Sequence, residues 1–113
     1  MIDIEQFPGY KLGTKQRIYS MRTKRYLKPG TNNTGYKILC LMRHGKKVMV
    51  KRARLIYSIF NGPIPKGMTV NHINLNKTDD RPINLESLTR GDNVRHYYLN
   101  RSKKHATRFS KWV

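Results

Sequence analysis

The segment that decides the fold is residues 68–98, which read MTVNHINLNKTDDRPINLESLTRGDNVRHYY. It opens with a short β-rich run, Met68–Ile73, passes through a long polar loop, and continues with a second short run, Leu85–Thr89. Thr89 and Asp92 then show the Thr-x-x-Asp spacing of a helix capping box. The segment therefore predicts a strand, a loop, a strand and a capped helix in that order.

The residues before this segment predict a β-hairpin followed by a helix. Tyr36–Met42 and Lys47–Val50 are rich in β-forming residues, and Arg43–Lys46 between them has the character of a hairpin turn. Apolar residues at helical spacing then mark one face of a helix over Lys51–Phe60, which the following Gly-Pro pair ends.

Further towards the N-terminus, residues 6–34 predict short extended pieces divided by turns, with brief strands at Arg17–Ser20 and Arg25–Lys28. The fold class predicted from these patterns is α+β. A small N-terminal β-rich region precedes a ββα motif, and the last helix is expected to end near Asn100.

Charge is extreme and unevenly spread. The 113 residues include 24 Lys and Arg against 6 Asp and Glu, a formal net charge of +18, and residues 6–78 contain no acid. Such a field attracts polyanions, and counterion release makes binding of nucleic acid strong and dependent on salt. A ribosomal protein or a protein that coats anionic membranes has a similar charge, and nucleic acid is the favoured partner.

Several other classes are excluded or disfavoured. The single cysteine, Cys40, excludes an internal disulfide and a cysteine-cluster zinc site, and we expect it to be a small buried hydrophobe. No apolar run approaches the roughly 20 residues that span a bilayer, so no membrane partner is expected. The first ten residues lack the basic and apolar regions of a signal peptide, which predicts a cytoplasmic protein.

His72, Asn84 and Asn93 fall on the first strand, at the end of the loop and on the helix, at separations of 12 and 9 residues. With Val70–Ile73, they resemble the HNH endonucleases of the ββα-metal fold, especially the small phage-type and intron-type homing enzymes. If the chain is phage-encoded, the expected location is the host-cell cytoplasm. The other matching stretches are Asn76-Lys77, Asn84–Glu86, Leu88-Thr89, Arg54–Ile56 and Phe60–Gly67.

More weakly, Phe7–Tyr10, Arg17–Ser20 and Leu27–Pro29 resemble the small N-terminal module that often accompanies these nucleases. The resemblance therefore implies three parts of the chain. They are a β-rich DNA-binding module over residues 1–50, an HNH nuclease core over 51–100 and a basic C-terminal tail over 101–113.

The resemblance also implies the roles of the site residues. His72 is the expected general base, because an ordinary histidine pKa of about 6.5 allows it to accept a proton near neutral pH. Asn71 and Asn93 are the expected ligands of Mg²⁺ or Mn²⁺ through their amide oxygens, and no zinc is expected. Asn84 would brace the loop and thereby orient His72.

The chain departs from the family pattern at Asn71, where many relatives carry Asp or His. The two amide ligands have no formal charge, so we expect low metal affinity in the absence of DNA. On a regular strand, moreover, Asn71 and His72 face opposite sides. Both can address one phosphate only if the strand ends or twists sharply there. Further departures are Leu75 in place of Gly, Asp79-Asp80 in place of an Asn pair, and Ala53 in place of His.

Other polar residues of the segment have either a structural role or a role in the active site. His96 lies one turn after Asn93, and it is either an additional active-site residue or a surface histidine. Asp79 and Asp80 are expected to make loop turns and hydrogen bonds in preference to binding metal. Glu86 is expected to pair with a nearby arginine.

The expected partner is double-stranded DNA, held mainly through its phosphates. The predicted contacts are Arg43, Lys46, Lys47, Lys51, Arg52, Lys77, Arg81 and Arg95.

The predicted function is that of a metal-dependent HNH DNA endonuclease, a monomer or a dimer, that nicks one strand. One alternative is a DNA-binding protein on an HNH scaffold that has lost catalysis. A second is an RNA-binding protein of ribosomal type, which accounts for the charge but not for the motif.

Overall fold

A computed structural model describes the backbone of residues 1–106, with the side chains of residues 1–97 and 99. The first four strands form one antiparallel sheet in the order β1-β2-β3-β4. They are β1 (Ile2–Asp3), β2 (Tyr10–Leu12), β3 (Ile18–Ser20) and β4 (Arg25–Tyr26). The two brief strands predicted from the sequence correspond to β3 and β4, whereas β1 and β2 are too short to show a clear period.

The second sheet contains β5 (Gly30–Thr31), β6 (Lys37–Arg43) and β7 (Lys46–Lys51), all antiparallel. The predicted hairpin is therefore present. Its two-residue turn has positive φ at both His44 (52°) and Gly45 (76°), which matches the right-handed twist of the flanking strands.

Cys40 corrects the expectation of a buried thiol. It is exposed, because it lies between the buried residues Leu39 and Leu41 on β6 and successive side chains of a strand point to opposite faces.

Helix α1 (Arg52–Asn61) follows β7 directly and begins one residue later than predicted. Its buried face consists of Ala53, Leu55 and Ile56, and it contacts β6 and β7. Gly62 ends the helix with φ of 86°, a conformation that other residues adopt only with strain, and its N–H bonds the carbonyl of Ser58 at 2.9 Å.

The ββα motif consists of β8 (Met68–His72), β9 (Leu85–Thr89) and α2 (Arg90–Ala106). The two strands pair antiparallel from Met68↔Thr89 to His72↔Leu85, and α2 packs on both. The helix continues past the predicted end at Asn100, so residues 101–106 of the predicted tail are helical. The remaining tail residues, 107–113, lie outside the described part of the chain.

The capping box at the start of α2 is half formed. The backbone N–H of Asp92 donates to Thr89 Oγ1 at 3.1 Å, as the spacing predicts. The Asp92 carboxylate accepts a hydrogen bond from Arg95 Nη1 at 2.6 Å. Thr89 therefore caps the helix, while the acid pairs along the helix surface.

One cluster of buried apolar side chains joins the two larger sheets to α1 and β9. Its members are Ile4, Phe7, Tyr10, Leu12, Ile18, Leu39, Leu41, Ala53, Leu55, Ile56 and Leu85. The N-terminal sheet, the hairpin, α1 and the start of β9 therefore share a core, which fixes the hairpin beside the ββα motif. No helix within the described residues is long and apolar enough to cross a membrane.

Candidate active site

Asn71 and His72 are the last two residues of β8, and both are buried, with 7% and 4% of their surface exposed. The chain turns immediately afterwards, where the N–H of Leu75 bonds the carbonyl of His72 at 3.0 Å. Because the strand ends at His72, the two neighbouring residues line the same cleft. The strand thus ends at the point where it must end for Asn71 and His72 to serve one site.

The cleft has a volume of about 400 Å³ and lies between Tyr36, which directly precedes β6, and residues of β8 and α2. It brings Asn71, His72 and Asn93 together, as expected. Its lining residues are Tyr36, Val70, Asn71, His72, Leu75, Lys77, Asn93, Val94 and Tyr97.

The His72 ring is held by a buried carboxylate that the sequence analysis did not assign to it. His72 Nε2 lies 2.6 Å from Asp80 Oδ1, and Asp80 is 1% exposed. The other carboxylate oxygen accepts a hydrogen bond from Arg52 Nε at 2.8 Å. Since an ionised carboxylate only accepts hydrogen bonds, His72 donates from Nε2, and Nδ1 is the nitrogen that can take up a proton.

Arg52 is a correction to the predicted phosphate contacts. Only 12% of its side chain is exposed, and besides Asp80 it donates to the carbonyl of Thr78 at 3.2 Å. A phosphate contact would require Arg52 to leave a buried carboxylate unpaired, which is costly. We therefore infer that Arg52 holds Asp80, the carboxylate that contacts His72. The other seven predicted contacts are exposed.

Tyr36 is a second residue that the sequence analysis missed. Its ring stacks on His72 with a centroid separation of 5.7 Å and an interplanar angle of 29°. Two ammonium groups approach the same ring, with Lys51 Nζ at 4.5 Å and Lys77 Nζ at 5.1 Å from the centroid. The residue before β6, the end of β7 and the β8–β9 loop thus place an aromatic ring and two cations beside the expected base.

Asn84 has the geometry of a brace for the loop between β8 and β9. Its Oδ1 accepts from the backbone N–H of Asn74 at 3.1 Å, and its Nδ2 donates to Asn74 Oδ1 at 3.0 Å and to the carbonyl of Asp79 at 2.9 Å. Asn84 is buried and is not among the described residues that line the cleft. It ties the two ends of the loop together behind His72.

Asp79 stabilises the same loop. Arg81 donates to its two oxygens at 2.7 and 2.8 Å, and these bonds lower the pKa of Asp79 from 3.8 to about 2 against the opposing effect of burial. Asn74 Nδ2 donates a further bond at 2.8 Å. The loop role expected for Asp79 agrees with this geometry.

Glu86 has a different partner from the expected arginine. Its Oε2 accepts a hydrogen bond from Asn71 Nδ2 at 2.9 Å. His96, the additional candidate, has Nε2 3.2 Å from the carbonyl of Ile73 and is half-buried. It contacts the turn that follows β8, next to the cleft.

The residues at this site match the HNH endonucleases over residues 50–95. This part of the chain is therefore similar to the HNH endonucleases. An uncharacterized HNH endonuclease of Acanthamoeba polyphaga mimivirus is 24% identical over 111 residues, which are 98% of this chain and 34% of the viral protein. This chain therefore spans about a third of the length of that relative.

A solved structure is also similar to this chain. It is described as DNA binding and cleavage by the HNH homing endonuclease I-HmuI, with a TM-score of 0.76 and 26% identity. The likeness covers 91% of this chain and 62% of the other, so it extends beyond residues 50–95. The predicted α+β class and the predicted resemblance to the HNH endonucleases are confirmed.

The donors in the cleft suit a hard divalent cation. Such ions take oxygen ligands, and Asn71 Oδ1 is the oxygen left after Nδ2 has bonded Glu86. Asn93 lines the same cleft. Within the part of the chain that the structure describes, no three His, Cys, Asp or Glu side chains form a metal cluster.

Proposed function

We propose that this chain is a metal-dependent DNA endonuclease that hydrolyses one phosphodiester of duplex DNA. The observation that carries the proposal is the contact between His72 and the buried Asp80, in a cleft that also contains Asn71 and Asn93. The match of residues 50–95 to the HNH endonucleases supports it. So does the likeness to a homing endonuclease that binds and cleaves DNA.

His72 is the general base. Its Nδ1 takes a proton from water as the water oxygen forms a bond to phosphorus, and the bond from phosphorus to the 3′ oxygen breaks. The leaving oxygen gains a proton from solvent, so the products carry a 5′ phosphate and a 3′ hydroxyl. Asp80 keeps the His72 ring oriented and stabilises the imidazolium that forms, and Arg52 balances the charge of Asp80.

Asn71 and Asn93 would hold Mg²⁺ or Mn²⁺ through their amide oxygens. The cation, when bound, supplies positive charge to the phosphoryl oxygens and the leaving oxygen. Lys51 and Lys77 lie beside Tyr36 at the cleft and attract the phosphate backbone. One cleft addresses one strand, so a monomer suffices for nicking, and a double-strand break needs a second protomer or a second event.

Conversion of supercoiled plasmid to the nicked form tests the proposal. With Mg²⁺ or Mn²⁺ we expect nicking that EDTA abolishes and that His72→Ala reduces by at least about a hundredfold, the usual scale of general-base catalysis. His44→Asn is the matched control, since this exposed histidine lies in a hairpin turn that asparagine also favours. It should nick at the wild-type rate.

Two results would contradict parts of the proposal. If His72→Ala nicks as fast as the wild type, His72 is not the base. If the wild type shifts DNA in a gel but nicks with neither cation, the chain is a binding protein on an HNH scaffold. The uncharged Asn71 is the feature that favours this second function.

A further inference from the structure

Asn71 and Glu86 lie directly opposite each other in the β8–β9 pair. Side chains of directly opposed residues in an antiparallel pair stand on the same face of the sheet. Asn71 lines the cleft, whereas the half-buried Glu86 is not among the described residues that do so. The Glu86 carboxylate therefore lies beside the amide that is proposed to face the cation, and outside the lining of the cleft.

The hydrogen bond between them fixes the orientation of the Asn71 amide. An asparagine side chain has two nearly isosteric orientations, which exchange a donor for an acceptor. Because the Glu86 carboxylate only accepts, Asn71 must direct Nδ2 towards it, as the 2.9 Å contact shows. Oδ1, the atom that can bind a cation, is then the one left for the cleft.

We propose that Glu86 is a positioning residue for the metal site. It holds the Asn71 amide with Oδ1 towards the cation and places a negative charge next to a ligand that has none. The inference rests on the proposed function. Outer hydrogen-bond partners of metal ligands commonly orient those ligands and tune affinity, and Asn71, as a neutral ligand, depends on such a partner more than a carboxylate would.

Titration of the protein with Mn²⁺ alone, followed by the electron paramagnetic resonance signal of free Mn²⁺, tests the role of Glu86. We expect Glu86→Gln to weaken Mn²⁺ binding by about tenfold, because glutamine removes the charge and can either donate to or accept from Asn71. Glu5→Gln is the matched control, since it makes the same change of charge at an exposed position. It should bind Mn²⁺ as the wild type does.

An exchange of the two side chains distinguishes positioning from a purely structural contact. Asn71→Asp alone sets two carboxylates against each other and should lower the melting temperature in metal-free buffer. In Asn71→Asp/Glu86→Gln, the new amide can donate to the new carboxylate, so the hydrogen bond returns with its direction reversed. This double variant should recover the wild-type melting temperature and bind Mn²⁺ at least as tightly as the wild type.

Two results would overturn the inference. One is wild-type Mn²⁺ affinity in Glu86→Gln, even with a changed melting temperature. The other is Mn²⁺ binding by the double variant that is no tighter than that of Glu86→Gln.

The variant Asn93→Ala distinguishes a wrong role for Glu86 from a wrong metal site in the proposed function. If Asn93→Ala abolishes Mn²⁺ binding while Glu86→Gln does not weaken it, only the role of Glu86 is refuted. If Asn93→Ala changes neither Mn²⁺ binding nor nicking, the metal site itself is refuted, and the inference falls with it.

Discussion

At the scale of single residues, Asp80 decides what His72 can do. Its two oxygens contact His72 Nε2 at 2.6 Å and Arg52 Nε at 2.8 Å, and all three side chains are largely shielded from solvent. A buried carboxylate between two such donors stays paired, because loss of either partner leaves an uncompensated charge. With Asp80 ionised, His72 Nε2 donates to the carboxylate, and Nδ1 is left for the proposed role as base.

Asp80→Asn tests this assignment. An asparagine can still accept from Arg52 through Oδ1, but its Nδ2 then faces His72 Nε2, which must become an acceptor. The ring proton moves to Nδ1, the nitrogen that should be the base, so we expect nicking to fall by about a hundredfold or more while DNA binding is retained. The measurements are the nicking rate and a gel shift.

Asp3→Asn is the control for Asp80→Asn, because it removes an exposed carboxylate that is 3.5 Å from Lys11. It should leave both measurements unchanged. Wild-type nicking by Asp80→Asn would show that Asp80 does not set the protonated nitrogen of His72.

At the scale of elements, the loop between β8 and β9 is held by polar contacts. Asn84 bonds Asn74 through both atoms of its amide, and Arg81 bonds both oxygens of Asp79. These contacts tie the loop end to the turn after β8, so the loop that carries Asp80 has a defined conformation. The position of the carboxylate behind His72 depends on that conformation.

The lowered pKa of Asp79 predicts how the stability of the loop depends on pH. The folded-state pKa of about 2 lies below the ordinary value of 3.8, so the contribution of Asp79 is complete above about pH 4 and is lost as the pH falls towards 2. Urea unfolding of the wild type and Asp79→Asn should show a constant stability difference above about pH 4 and a shrinking one below it. A difference that does not change down to pH 2 would contradict the Asp79–Arg81 contact.

At the scale of the whole molecule, the net charge favours binding of a polyanion and the shared core brings distant residues to the cleft. The charge of +18 gives long-range attraction to a polyanion. The core joins the N-terminal sheet and the hairpin to the ββα motif, so Tyr36 lines the cleft and Lys51 lies against its ring. The N-terminal half thus contributes to the site in addition to the attraction of DNA.

Affinity for duplex DNA is predicted to depend steeply on salt. If about six or more phosphates are contacted, the affinity should fall by about 10³-fold between about 50 and 200 mM salt. The double variant Lys46→Gln/Lys47→Gln, in the exposed hairpin, should reduce the slope of log affinity against log salt by about two, similarly for all sequences. Fluorescence anisotropy measures this slope, and a flat response would refute the electrostatic attraction.

The main elements of the fold were predictable because their signals are local. Each of these signals depends on residues a few positions apart in the sequence. They are the alternation of β6 and β7, the turn at His44-Gly45, the apolar face of α1 and the cap at Thr89. The strands β1, β2 and β5 were not predicted, since two or three residues show no period and are stabilised by their neighbours in the sheet.

The sequence by itself determined the order of strand, loop, strand and helix, the resemblance to the HNH endonucleases, and the meeting of His72 with Asn71 and Asn93. The tertiary structure decided their partners. Asp80 behind His72, Tyr36 stacked on it and Glu86 bonded to Asn71 follow from strand register and from packing between segments up to 36 residues apart. Such contacts give no periodic pattern in the sequence, because each depends on the position of a side chain in the folded structure and not on its spacing along the chain.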